Sequence, residues 1–192
     1  IALSADAKRV IIGTDSKDTV GVYELNPDTD TWTIVGDFIK VGDGEDKFGH
    51  SVTISRDGTR IAIGAPYADS PDAPYNGNNK GATRVYVWSS GSWKGAPGPM
   101  YGTNNYGLAG VAVSLSGDGT RLIVGESRAK KVTIRDLHTG EVKAIITKEG
   151  EVSSVAVPNP LTLTLTLILT LTLTRRWPGD PPSNAPGRAD TP

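Results

Sequence analysis

No cysteine, one methionine and two histidines occur in 192 residues. The missing thiols exclude disulfides, thiolate metal centres and thiol catalysis together, and leave the redox compartment unread. His50 and His138 alone offer little material for imidazole catalysis or a histidine-rich metal site. A dominant charge is lacking too. Twenty basic side chains stand against 21 acidic ones, for a net charge of −1, which excludes the broad basic footprint of a nucleic-acid or anionic-membrane binder. No G-x-G-x-x-G, P-loop or G-x-S-x-G string appears, and no N-x-[ST] acceptor. No basic-then-apolar leader precedes Ile1, which already sits in a strand-like pattern, so the chain reads as a fragment.

What is abundant is turn chemistry. Gly (23) and Pro (13) make up nearly a fifth of the chain, so helices are expected to be scarce. Three segments align without a gap: residues 1–13 (IALSADAKRVIIG), 52–64 (VTISRDGTRIAIG) and 113–125 (VSLSGDGTRLIVG). Ser4, Ser55 and Ser116 coincide, as do Asp6, Asp57 and Asp118, Arg9, Arg60 and Arg121, and Gly13, Gly64 and Gly125. A fourth start shows at Ser154-Val155-Ala156-Val157. Self-similarity at this period signals a repeat architecture.

Each start is expected to be a β-hairpin. Val52-Thr53-Ile54 and Ile61-Ala62-Ile63 are β-branched or small, and Asp57-Gly58 between them suggests a tight primed turn. Asp118-Gly119 repeats the signal. Ala7 holds the Gly position in the first unit, and because a left-handed alanine is costly that turn is expected to change type or fray. The recurring Ser and Asp are read as turn chemistry rather than catalysis. A second strand pair follows: Gly21-Val22-Tyr23-Glu24-Leu25, matched with Arg84-Val85-Tyr86-Val87-Trp88 and with Lys131-Val132-Thr133-Ile134-Arg135. Last strands begin near Trp32, Trp93 and Val142, and the Trp and Tyr positions are read as packing between units. Four short strands in 40–60 residues is the pattern of a propeller blade.

Phe48-Gly49-His50-Ser51-Val52, then Gly64-Ala65-Pro66, then Val85-Tyr86-Val87-Trp88, resembles an FG-GAP repeat. Such repeats build the β-propeller of integrin α-chains and of many other extracellular proteins, so the resemblance implies that fold, with Phe48, Gly49, Gly64, Ala65 and Pro66 as its motif residues. It also implies an extracellular or cell-surface setting. The third unit has Ala109-Gly110 and Gly125-Glu126-Ser127 at the motif positions. It is more similar to a WD repeat, with Arg135 in place of the Trp and Asp136 kept. Some FG-GAP blades hold calcium in a D-x-[DN]-x-D-G-x-x-D loop, and calcium needs six to eight oxygens. Residues 55–60 here offer one carboxylate and end in Arg60, and residues 116–121 end likewise in Arg121. The usual FG-GAP calcium loop is thus not matched and no cofactor is expected, with calcium left open elsewhere. Asp69, Asp72, Asn76 and Asn78, in the loop 67–81, are the residual metal candidates, and the acidic group Asp37, Asp43, Glu45 and Asp46 reads as solvated loop.

Residues 161–174 read LTLTLTLILTLTLT and lead into a Pro-rich polar end. Fourteen residues, six of them Thr, make no convincing transmembrane span. Pro-Asn and Leu-Thr are two reading frames of one hexanucleotide, and Pro158-Asn159-Pro160 directly precedes the run. Residues 158–192 are thus expected to be low-complexity, non-globular sequence, translated from simple-repeat DNA or a misjoined intron.

The expectation is an all-β chain. Residues 1–157 form a partial β-propeller of about three four-stranded antiparallel blades (1–51, 52–112 and 113–153), with a fourth beginning at 154–157. Its function is read as a non-enzymatic interaction scaffold for a protein or glycan ligand, belonging to a larger FG-GAP-type protein. The alternatives are a propeller enzyme acting on carbohydrate or a similar extracellular substrate, and a truncated, non-functional product. Closing a propeller needs further blades, from the same protein or by oligomerisation.

Overall fold

The computed structural model describes residues 1–14, 16–41, 46–72, 77–95, 98–147, 150 and 152–156. Fourteen strands and, among the described residues, no helix are present. They form three antiparallel meanders, two of five strands and one of four. The first comprises β1 (Ala2–Leu3), β2 (Arg9–Thr14), β3 (Thr19–Asn26), β4 (Thr31–Ile34) and β5 (Ile39–Lys40). The second comprises β6 (Ser51–Ile54), β7 (Arg60–Ala65), β8 (Ala82–Ser89), β9 (Ser92–Gly95) and β10 (Met100–Tyr101). The third comprises β11 (Ala109–Leu115), β12 (Arg121–Glu126), β13 (Lys131–Asp136) and β14 (Val142–Thr147). In the first two blades the outer edge is split, so that β4 and β5 both pair with β3, and β9 and β10 both pair with β8.

β-branched residues sit on pleated strands because their stiff side chains pack well across neighbouring strands. The core lies between blades rather than within one. Ile11, Val20 and Val22 of the first blade meet Phe48, Ile54, Ile61 and Ile63 of the second. Ala62 and Val85 of the second meet Val113, Leu115, Leu122 and Val124 of the third. Ile123, Val132 and Ile134 of the third are then met by Val152, with Val155 packed at the edge.

Burial reports which blades are covered on both faces. β7 and β12 are buried at every residue after the first, as a strand sandwiched on both sides should be. β2, at the same place in the first blade, has one face covered: Ile11 is fully buried but Ile12 is 40% exposed. Leu3 is 53% exposed, whereas its equivalents Ile54 and Leu115 are 8% and 6% exposed. Leu3, Val10, Tyr23 and Ile34 lie directly opposite one another across β1 to β4, so the first blade carries an apolar rear face.

Three expectations are corrected. The hairpin turns are not two-residue primed turns. Ser55 N–H donates to Arg60 O (2.8 Å) and Gly58 N–H to Ser55 O (3.0 Å), which makes a four-residue loop whose single positive φ is at Gly58. The Ala7 turn keeps the same form, with Ala7 N–H on Ser4 O (3.0 Å) and φ of 58°. Serine and aspartate bonds over-determine this turn, so the alanine bears the strain. Finally, the third-blade match is shifted by two residues. Arg9, Arg60 and Arg121 pair with Glu24, Val87 and Asp136, so Leu137, not Arg135, corresponds to Trp88. Alternation has a period of two, and a shift of two leaves the pattern unchanged.

Candidate functional site: the turns and seams between blades

Each hairpin turn uses its polar residues in one way. Ser4, Ser55 and Ser116 donate from Oγ to Asp6, Asp57 and Asp118 at 2.7, 2.6 and 2.5 Å. The same Asp Oδ1 accepts the N–H two residues on, at 3.0 Å in all three blades. The Ser Oγ accepts the N–H of Arg9, Arg60 or Arg121 at 2.9 Å. Hydrogen bonds to the ionised form hold these carboxyls below the usual range, first from Ser4 at Asp6 and from Ser116 at Asp118. At Asp57 burial pushes upward most strongly, but the bonds from Ser55 and Thr59 together outweigh it. A general acid working near neutrality needs the opposite shift. These carboxylates build turns.

The recurring arginine stitches blades together. Arg9 Nη1 donates to Gly58 O in the next blade (3.1 Å), and Arg60 Nη1 repeats the bond to Gly119 O (3.1 Å). Arg9 is also held by Glu24, Nε to Oε1 at 3.0 Å, and its guanidinium lies 5.7 Å from the Trp88 ring centroid. Trp88 packs on Trp93 at 5.1 Å, and Trp93 Nε1–H donates to Val35 O at 3.0 Å. The Trp88–Trp93 pair thus fills the outer seam between the first two blades, whereas Trp32 is 44% exposed.

At the inner seam the backbones nearly touch. A Cβ on Gly13 would lie 2.1 Å from Gly49 O, and one on Gly64 would lie 2.0 Å from Gly110 O. Phe48 is fully buried in the first seam, and its N–H donates to Asp18 Oδ1 (2.9 Å). Ala65 and Pro66 are buried at the end of β7.

These motif residues lie inside the segment that known proteins single out: residues 40–87 match the sequence model of the FG-GAP repeat. Residues 40–87 are an FG-GAP repeat. Its Gly49 and Gly64 serve successive seams, each letting one blade's backbone reach the next. No curated protein matches the chain. Among solved structures it resembles the hydrazine synthase of Kuenenia stuttgartiensis, with a TM-score of 0.56 and 16% identity over 88% of this chain and 57% of that one. It also resembles a putative 6-phosphogluconolactonase from Bacteroides uniformis (TM-score 0.58, 12% identity, 81% of this chain and 43% of that one). A third likeness is to the beta-propeller domain of Cps50 (Swd1) from Myceliophteria thermophila (TM-score 0.54, 12% identity, 81% and 45%). The chain spans about half the length of these structures. At such identities the likeness shows the fold, a β-propeller, and nothing of the chemistry.

The FG-GAP blade's long loop holds the metal candidates. Asp69 accepts the N–H of Asn79 on Oδ1 (2.8 Å) and that of Gly77 on Oδ2. Asn78 is buried, with Oδ1 accepting from Ser70 N–H (3.1 Å) and Lys80 N–H (3.3 Å). Asp72 is exposed, and Asn76 lies outside the described residues, as do Asp43 and Glu45. The structure therefore gathers Asp69 and Asn78 as loop-builders. Among the described residues no three His, Asp or Glu side chains converge as a metal site would require. His50 and His138 are both exposed.

Two buried acids, Asp18 and Glu126, escaped the sequence reading. Glu126 is buried at the position of Ala65, with Oε1 near Lys131 Nζ (3.3 Å) and Thr133 Oγ1 (3.2 Å) and with Oε2 unpartnered. The signal for Glu126 was an acid standing where the FG-GAP motif has alanine.

Proposed function

We propose that the chain is part of a β-propeller interaction scaffold of the FG-GAP type, which binds a protein or glycan through its exposed loops and seams. The observation that carries this reading is that the recurring Ser, Asp and Arg are consumed in turn and seam bonds, alongside an FG-GAP repeat over residues 40–87. The reading invokes no cofactor and no catalytic residue. An extracellular or cell-surface setting suits an FG-GAP protein. The apolar rear face of the first blade supports further blades in the whole protein, because Leu3 is exposed there whereas Ile54 and Leu115 are buried at the same place in the second and third. The test is to probe peptide and glycan arrays with the full chain and recover what is retained. Saturable retention of a chemically unchanged ligand is expected. Turnover of a retained glycan, or no retention at all, overturns the proposal.

A further inference from the structure

The two seams are built alike and filled differently. Backbone bonds fix the correspondence: Trp88 N–H donates to Thr59 O and Leu137 N–H to Thr120 O, both at 2.8 Å. In the first seam the guanidinium of Arg9 carries the Trp88 indole on its face and the Glu24 carboxylate on Nε. Gly36 leaves room for that indole, since a Cβ there would lie 3.0 Å from Trp88 Cζ3.

In the second seam Arg60 holds the same place and makes the same bond to the next turn. Both of its other partners have changed. Val87 pairs opposite Arg60 where Glu24 pairs opposite Arg9, and Leu137 replaces Trp88. Among the described residues no carboxylate pairs with Arg60 and no ring lies over it. What remains is a cavity of about 410 Å³ lined by Arg60, by Val85, Val87 and Leu137, and by the turn 138–140. A side chain at Gly140 would meet nothing within 4 Å, so the cavity opens outward there. The apolar side chains of Val85, Val87 and Leu137 beside one guanidinium without a paired carboxylate suit a planar apolar ring beside an anion.

We propose that this groove docks a partner protein segment presenting an aromatic side chain next to a carboxylate, in the way the chain itself supplies Trp88 and Glu24 to the first seam. The inference rests on the scaffold reading and names its partner. A segment of protein is the occupant because the ring that fills the sister groove is a side chain carried on an extended strand, and a short peptide can carry a ring and a carboxylate to one place.

The experiment titrates the blocked dipeptide acetyl-Glu-Trp-amide into the full chain and follows the Arg60 Nε–H resonance by NMR. A saturable shift is expected, with acetyl-Ala-Trp-amide and acetyl-Glu-Ala-amide each binding about tenfold more weakly. Leu137→Trp should fill the groove from within and abolish binding. Val87→Glu should neutralise Arg60 and reduce the Glu-Trp peptide to the affinity of the Ala-Trp peptide. An Arg60 resonance unmoved at millimolar peptide, or binding unchanged in both variants, overturns the proposal. Equally tight binding of free indole-3-propionate overturns the protein segment as occupant. If array ligands bind the Leu137→Trp chain as tightly as the original, this groove is refuted while the scaffold reading stands.

Discussion

Gly64→Ala tests the seam directly. The added methyl would sit 2.0 Å from Gly110 O and 2.3 Å from Ser51 Oγ, against an ordinary contact of 3.4 Å or more. Gly110 O belongs to the backbone of the next blade, so the seam must open by roughly 1 Å or more. The Ser51 Oγ–H bond to Gly110 O (2.7 Å) cannot survive that displacement. Over-packing a tight interior costs about 1–3 kcal/mol, and the lost bond adds about 1 kcal/mol, giving a destabilisation of about 3 kcal/mol. Urea unfolding followed by tryptophan fluorescence reads it, since Trp88 and Trp93 are half-buried in the neighbouring seam. Gly95→Ala is the control, because its methyl would meet only Tyr86, at 3.5 Å. It should stay within about 0.5 kcal/mol. A Gly64→Ala chain with the midpoint of Gly95→Ala would refute the close approach and the account of the FG-GAP glycines built on it.

Ala7→Gly should stabilise the chain by about 1 kcal/mol, because Ala7 holds φ at 58° and glycine adopts that region without strain; an unchanged urea midpoint would deny the strain. Lys131→Met should cost about 3 kcal/mol by leaving the Glu126 carboxylate buried without its cation, and the same unfolding assay decides it. Acid should weaken the fold in a defined window. Hydrogen bonds hold the Asp57 and Asp118 carboxyls below the ordinary aspartate range in the folded chain, so their contribution is complete above that range and is lost as pH falls through the folded values. The fall in urea midpoint between about pH 5 and about pH 3 should shrink in Asp118→Ala. An identical fall would show that the turn carboxylates do not carry the acid sensitivity.

The strand pairs and the three blades were legible because short β-branched runs between Gly- and Asp-rich turns leave few alternatives. The Phe48-Gly49 and Gly64-Ala65-Pro66 pattern marked the second blade. Turn geometry was not legible, since an Asp-Gly pair suits both a two-residue loop and the four-residue loop that forms around Ser55 and Arg60. The third-blade register was hidden by a period of two. Seam partners such as Arg60 and Gly119 O lie 59 residues apart, and nothing local encodes them. The cavity could not be foreseen either, because it arises from what Leu137 and Val87 fail to supply.

Ala7 constrains what can cover the rear face of the first blade. Gly58 and Gly119 are each overlain by the arginine stem of the preceding blade, and a Cβ there would lie 2.8 Å from Arg9 Cδ or 2.7 Å from Arg60 Cδ. Ala7 occupies the equivalent turn position and carries that methyl. A blade packed behind the first one would therefore have to place something slimmer than an arginine stem over the turn, or shift the stem by a few tenths of an ångström. The apolar row from Leu3 to Ile34 still demands cover, since Leu3 and Val10 stand where Ile54 and Ile61, and Leu115 and Leu122, are buried in the other blades. Apolar burial and arginine stitching are thus separable parts of the seam. The first blade's rear face keeps the apolar part and departs at the stitch, so an arginine stem laid over Ala7 would have to sit a few tenths of an ångström farther out than those over Gly58 and Gly119.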